Sequence, residues 1–248
     1  MIIAKISGGL GNQLFQYAHG RKEALKQDAR LILIPAHADK DTPRDFLLDN
    51  FNIKANIKKN AWYRYNPFVK TISGNWQSET YFKDAEKEIR SDLTLKKPLS
   101  EKAEEFKKLI TASNSVSIHV RRGDYAENDR TKMKHGLCSP EYYSKAIAYV
   151  NEKISSPKFF VFSDDIAWVK SNLNLPSSTV FVSGNNISEC EELVLMSTCK
   201  HNIIANSTFS WWGAWLNTSP EKIIVAPKIW FASGIPENDL IPENWIRI

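Results

Sequence analysis

Two adjacent arginines, Arg121 and Arg122, follow the apolar run Val116–Val120 and precede Gly123, Asp124 and Tyr125, with His119 just inside the run. Arginine suits a diphosphate because its planar fork donates paired charged hydrogen bonds and never loses its proton. Adjacent side chains at a strand exit diverge, so one can face a ligand while Asp124 or another acid holds the other. A structural arginine–aspartate turn would use the same residues. A second group, Ser163-Asp164-Asp165, follows the run Phe159–Phe162. One acid there is expected to cap the next helix. The other can accept hydrogen bonds from a ligand, and a carboxylate matches the N1–H and N2 amino donors of guanine. A third group, Asn206-Ser207-Thr208-Phe209-Ser210, leads into Trp211-Trp212-Gly213-Ala214-Trp215. Small hydroxyl residues at a helix start leave backbone N–H groups for a phosphate, although an ordinary cap has the same composition. Trp211 and Trp215 share one helical face and are expected in the core.

These groups need elements to hold them. Short β-branched or aromatic runs at Val116–Val120, Phe159–Phe162, Val180–Val182, Ile203–Ala205 and Ile223–Ala226 alternate with helical patterns at Pro140–Lys153, Ile166–Leu173, Ser188–Cys199 and Phe209–Leu216. Such alternation predicts an α/β fold with a parallel sheet covered on both faces. Ligands then bind beyond the C-terminal ends of the strands, where all three groups lie. Pro140 after Ser139 suits a first helical turn, and Ser188 with Glu191 reads as a capping box.

The chain opens with a similar unit: strand Ile2–Ile6, a glycine turn at Gly8–Gly11, a helix from about Asn12 to Gln27, and the run Leu31–Ile34. Its glycines fail the dinucleotide fingerprint, because Leu14 stands where a third Gly or Ala is required. The stretch 36–99 is irregular and rich in aromatics, with Trp62, Trp76 and Tyr81 as candidates to stack on sugar rings or to pack in the core. A charged helix over Glu101–Ile110 precedes the second block.

Composition removes other classes. At 248 residues, 42% hydrophobic and 25% charged, the chain can build a packed core under a charged surface. No apolar run approaches the ~20 residues of a membrane span. Cys138, Cys190 and Cys199 show no C-x-x-C spacing, so neither a disulfide framework nor a zinc site is indicated. No metal ligand set is legible: there is no H-E-x-x-H, and the string Asp39-Lys40-Asp41 sits in a lysine-rich polar stretch. The net charge of +5 falls short of a nucleic-acid-binding stripe and suits a small anion or an anionic membrane surface. Ile2–Ile6 reads as the first strand rather than a signal core, so a cytoplasmic protein is expected.

Together GGLGNQLFQYAHG at 8–20, HVRRGDY at 119–125, FSDD at 162–165 and NSTFSWWGAWL at 206–216 resemble the α-1,2-fucosyltransferase family. The H-x-R-R-x-D core is shared with α-1,6- and protein O-fucosyltransferases, whereas the first and last strings point to the α-1,2 group. The resemblance implies a GT-B-like fold, two Rossmann-like halves facing a cleft, here 1–110 on the acceptor side and 111–248 binding the donor. It implies inverting, metal-independent transfer of L-fucose from GDP-β-L-fucose to the 2-hydroxyl of a galactoside, with no cofactor. The acceptor would be a galactose-terminated oligosaccharide or a glycolipid, with peripheral contact at the inner membrane. By the same resemblance Arg121 would hold the β-phosphate, and His119 and Asp164 would contact guanosine. Ser207, Thr208 and Ser210 would contact phosphate, and Gly11 and Asn12 would reach the donor. The base for the acceptor hydroxyl stays open among Asp124, Glu127 and His135, with Glu127 the first to test. Another nucleotide sugar on the same fold, or a non-catalytic nucleotide- or glycan-binding module, are the competing readings.

Overall fold

The structure, a computed structural model, describes residues 1–35, 44–58, 69–123, 133, 136–236 and 239–248. The chain divides into two compact units, Met1–Pro98 and Leu99–Ile248. The boundary therefore falls before the charged helix, which the sequence reading placed at the end of the first half. Ala103, Phe106 and Ile110 of that helix pack with Phe160, Phe162, Leu195 and Met196 of the second unit, and this apolar face decides its membership.

Among its described residues the first unit holds four parallel strands in the order β3-β2-β1-β4: β1 Ile2–Ile6, β2 Leu31–Pro35, β3 Asn56–Ile57 and β4 Lys70–Ile72. Between β1 and β2 runs α1, Leu10–Lys26, and α2 spans Glu86–Asp92. Helix α1 starts two residues earlier than the glycine turn suggested. Gly8 is the glycine whose backbone requires it: φ is +78°, and an added Cβ would lie 2.8 Å from Asn12 Nδ2.

The glutamines of the N-terminal motif hold this loop. Gln13 Nε2 donates to the carbonyls of Gly8 (2.9 Å) and Asp45 (2.7 Å), while its Oε1 accepts from Leu47 N–H at 3.0 Å. Gln16 Oε1 accepts from Ser7 N–H at 2.8 Å. Both side chains are buried, so their amides replace water for backbone groups that would otherwise be orphaned. One residue on, Tyr17 donates to Asp92 Oδ2 at 2.7 Å, and Arg21 Nε donates to the same oxygen at 2.8 Å. Burial, and then the Asp92 hydrogen bond, push the Tyr17 phenol far above its usual range, so it stays a neutral donor.

Among its described residues the second unit holds six parallel strands in the order β10-β9-β8-β5-β6-β7: β5 Asn114–Val120, β6 Pro157–Ser163, β7 Val180–Phe181, β8 His201–Ile203, β9 Ile224–Ala226 and β10 Ile246–Arg247. Five of these were legible as apolar runs, although β8 starts two residues before the expected Ile203–Ala205 and shares only Ile203 with it; the two-residue β10 was not. Helices α3 Glu101–Thr111, α4 Pro140–Lys153, α5 Ile166–Asn172, α6 Glu189–Thr198 and α7 Thr208–Leu216 cover the sheet. Ser139 caps α4 with Pro140 in the first turn, and Ser188 and Glu191 form the expected capping box on α6. Trp211, Trp212 and Trp215 are buried, as expected for a core face, and Trp211 donates to the Leu240 carbonyl at 2.7 Å. Gly213 lets α7 approach α6, because a Cβ there would meet Met196 Sδ at 2.6 Å.

Candidate active site

From β5 the strands run outward through β6 and β7 on one side and through β8, β9 and β10 on the other. That is the Rossmann order, and in sheets of this kind the ligand crevice opens where the direction reverses, here between β5 and β8. The loops that leave these two strands carry the arginine pair and the Asn206–Ser210 string.

Register brings Arg121 to Asp164. Val120 pairs with Ser163 at the end of the β5–β6 ladder, so the next residues leave side by side. Arg121 Nη1 lies 3.0 Å from Asp164 Oδ2, and Asp164 Oδ1 accepts from Arg122 N–H at 2.8 Å. A Cβ on Gly123 would lie 2.6 Å from Asp164 Oδ2, so only glycine leaves room for this carboxylate. Arg122 turns away: its guanidinium lies 4.0 Å from the Trp168 ring centre, with Nε 3.7 Å from Asp165 Oδ2. Asp165 caps α5 by accepting from Trp168 N–H at 2.9 Å. Both arginines thus have acids other than Asp124 as partners. Arg121 is the one oriented by a carboxylate at the switch point, and a guanidinium carries five N–H donors in a fixed fork.

His119 is buried at 4% exposure, and its Nδ1 has no hydrogen-bond partner among the described residues. Burial, and then the Arg121 charge, push its pKa down to about 3, so the imidazole is neutral throughout the physiological range. Its ring lies 5.5 Å from that of Phe209, and Tyr143 donates its hydroxyl to the His119 carbonyl at 3.1 Å. The phenol of Tyr143 pins the strand end from which Arg121 leaves.

Ser207 is the N-cap of α7 and makes no side-chain capping bond. Trp211 N–H is bonded to the Ser207 carbonyl at 3.0 Å, so the N–H groups of Thr208, Phe209 and Ser210 belong to the open first turn. Ser210 itself is fully buried, and its hydroxyl donates inward to the Ser207 carbonyl at 3.2 Å. Any group it could offer an anion is thus its backbone N–H rather than its side chain. Asn206 is spent on the fold, donating to the carbonyls of Gly136 and Trp230.

One residue escaped the sequence reading. Glu192, in the first turns of α6, reaches back to Ser183 on the loop after β7, and it feels the charge of Asp164. Ser183 Oγ in turn accepts from Ser163 N–H at 2.9 Å, so this carboxyl stands at the same sheet edge as Asp164. Burial raises its pKa to about 7; the Ser183 hydrogen bond opposes the rise, and Glu189 and Asp164 add to it. The signal in the sequence was an acid opening the apolar run Leu193–Met196.

On the first unit, Asn12 is half-buried and Gly11 is buried in the first turn of α1. Trp76 and Tyr81 come together, ring centres 5.1 Å apart, with His19 stacked on Trp76 at 4.1 Å. Asp124, Glu127, His135, Trp62 and the Asp39–Asp41 string lie outside the described residues. No cluster of His, Cys, Asp or Glu among the described residues could hold a metal ion.

The model of the family described as glycosyl transferase family 11 matches residues 4–248. The chain belongs to that family. Within family 11 it is 34% identical to an alpha-1,2-colitosyltransferase of Escherichia coli, over all of this chain and 99% of the other. It is 28% identical to the galactoside 2-alpha-L-fucosyltransferase Sec1 of Mus musculus, over all of this chain and 74% of that protein. Among solved structures, NodZ alpha-1,6-fucosyltransferase soaked with GDP-fucose aligns with a TM-score of 0.56 at 13% identity, covering 87% of this chain and 91% of the other. The family 11 chain therefore has the α/β fold expected from its strand alternation and the GT-B-type architecture that the resemblance implied.

Proposed function

We propose that this family 11 glycosyltransferase transfers L-fucose from GDP-β-L-fucose to the 2-hydroxyl of a galactoside, with inversion and without a metal. The observation that carries the reading is Arg121, oriented by Asp164 at the switch point beside the open N-terminus of α7. As GDP leaves, negative charge grows on the β-phosphate. A fixed guanidinium and a helix N-terminus stabilise that charge without reorganising. Glu192 is the carboxylate proposed to read guanine, because Asp164 is already engaged with Arg121 and Arg122; neutral His119 and the Thr208–Ser210 turn complete the nucleotide site. Trp76 and Tyr81 are the proposed acceptor platform, joined by Trp62, and Glu127 is the proposed base, ahead of Asp124.

The relatives divide on the donor. Colitose is fucose without its 3-hydroxyl, so GDP-colitose is the specific competitor. A site that hydrogen-bonds the 3-hydroxyl would favour fucose strongly, because the deoxy sugar leaves that partner unpaired. The acceptor is proposed to be a galactose-terminated glycan or glycolipid of the cell surface, reached from the cytoplasmic side with peripheral membrane contact. No described helix is long and apolar enough to cross a membrane.

The nucleotide assignment is tested by titrating GDP, UDP and ADP while following thermal stability. A bidentate carboxylate–guanine pair is worth about 1–3 kcal/mol of discrimination, roughly 5- to 150-fold in Kd. GDP should bind that much more tightly than the other two, and transfer should survive a chelator. Equal binding of UDP or ADP would overturn the guanine assignment.

A further inference from the structure

The first unit has a switch point of its own, between β1 and β4, where the order β3-β2-β1-β4 reverses direction. The glycine loop and the start of α1 leave from β1, and the segment 73–78 leaves from β4. One hydrogen bond joins the two sides: Gln77 Nε2 donates to Asn12 Oδ1 at 2.8 Å. We infer that Gln77 is a positioning residue, which sets the carboxamide of Asn12 so that its oxygen is occupied and its NH2 group is the face offered to substrate. The inference rests on the reading of Asn12 as a substrate contact.

An asparagine amide has two faces of opposite character, and rotation by half a turn exchanges donor for acceptor. A side chain that must present its NH2 group therefore needs a partner that will hold its oxygen, and Gln77 is that donor. The backbone spends strain to place it. Trp76 adopts φ +52°, a left-handed conformation unusual for a bulky residue. Several contacts hold it there. Gly74, at φ +146°, leaves room for the indole, since a Cβ would meet Trp76 Nε1 at 3.1 Å. His19 stacks on the opposite element at 4.1 Å, and Ser78 N–H returns to the Trp76 carbonyl at 2.8 Å. The Ser78 hydroxyl then caps the short 3-10 turn Glu79–Tyr81 by accepting from Thr80 N–H. The turn is fixed on both sides of Gln77, and Gly8 is cut away where Asn12 Nδ2 lies, 2.8 Å from the missing Cβ.

The same turn carries Trp76 and Tyr81, the proposed acceptor platform. Gln77 thus ties the residues proposed to meet the acceptor to the residue proposed to meet the donor, all within one unit.

A double-mutant cycle on the full chain tests this. A single hydrogen bond of this kind supports about a tenfold loss in kcat/KM for the donor in Q77L, with thermal stability close to wild type. N12A should lose at least as much. If Gln77 acts through Asn12, the N12A/Q77L double variant will be no worse than N12A alone. Q77E should lose more than Q77L, because a carboxylate only accepts and would turn the Asn12 amide over. Losses that multiply in the double variant, or a fully active Q77L or Q77E, would overturn the positioning role while leaving the Asn12 reading intact. A fully active N12A would remove both.

Discussion

Replacing Arg121 by alanine should lower turnover of GDP-fucose by about 100- to 1000-fold, the cost of about 2.7–4 kcal/mol that follows loss of one preorganised donor at a developing oxyanion. The fold should survive, since the side chain is partly exposed and its partner Asp164 also accepts from Arg122 N–H. Arg121→Lys should recover little, because an ammonium cannot reproduce the fork that reaches a carboxylate and a phosphate oxygen together. The neighbouring Arg122→Ala is the control. Its guanidinium rests on Trp168 beside Asp165, so a smaller loss in rate is expected there. Steady-state rates alongside melting curves read this out. Near-normal turnover by Arg121→Ala would place the phosphate elsewhere.

The second large effect is a dependence of GDP affinity on pH that passes through Glu192. Guanine presents two donors, so its partner must be ionised, whereas burial holds the Glu192 carboxyl at a pKa of about 7 in the unliganded protein. The sign follows from that requirement. Above the pKa the carboxylate is ready and affinity is flat; below it, binding must first remove a proton. Through Glu192 alone, the wild-type Kd for GDP should therefore rise by about tenfold between pH 8 and pH 6, with about one proton released from this carboxyl per GDP bound at the lower pH. The β-phosphate titrates in the same range, and Glu192→Gln separates the two. The amide keeps one acceptor but sets an NH2 group against a guanine donor. Its binding should be weaker at pH 8 by about 5- to 150-fold, and should vary with pH only as the phosphate does. His119 contributes nothing to this profile, because its pKa lies near 3. Isothermal titration in buffers of different ionisation enthalpy counts the protons. An unchanged profile in Glu192→Gln would exclude this carboxyl from the base site.

Much of the architecture was legible because it rests on local signals. Val116–Val120 and Phe159–Phe162 are short and rich in β-branched or aromatic residues, which marks them as strands, and the caps at Ser139, Asp165 and Ser188 announce the helices they start. What escaped depends on register and long-range pairing. The partner of Arg121 is Asp164 because Val120 lies opposite Ser163, a fact no spacing along the chain contains. Gln13 and Gln16 read as part of a motif, yet their task is to satisfy backbone groups of Asp45, Leu47 and Ser7. Glu192 stands in a helix N-terminus beside Glu189 and Glu191, and only the fold brings it to the Ser183 hydroxyl. His19 meets Trp76 only because α1 and the segment after β4 share one sheet edge.

Family membership fixes the reaction class but divides on the donor sugar. The most direct measurement is product analysis after incubation of the protein with GDP-fucose and a β-galactoside, with linkage assigned by NMR. A cross-peak joining fucose H1 to galactose C2, with an α-configured anomeric centre, is the predicted result. Fucose found on another hydroxyl, retention of the β configuration, or no transfer from GDP-fucose where a parallel incubation with GDP-colitose gives product would contradict it.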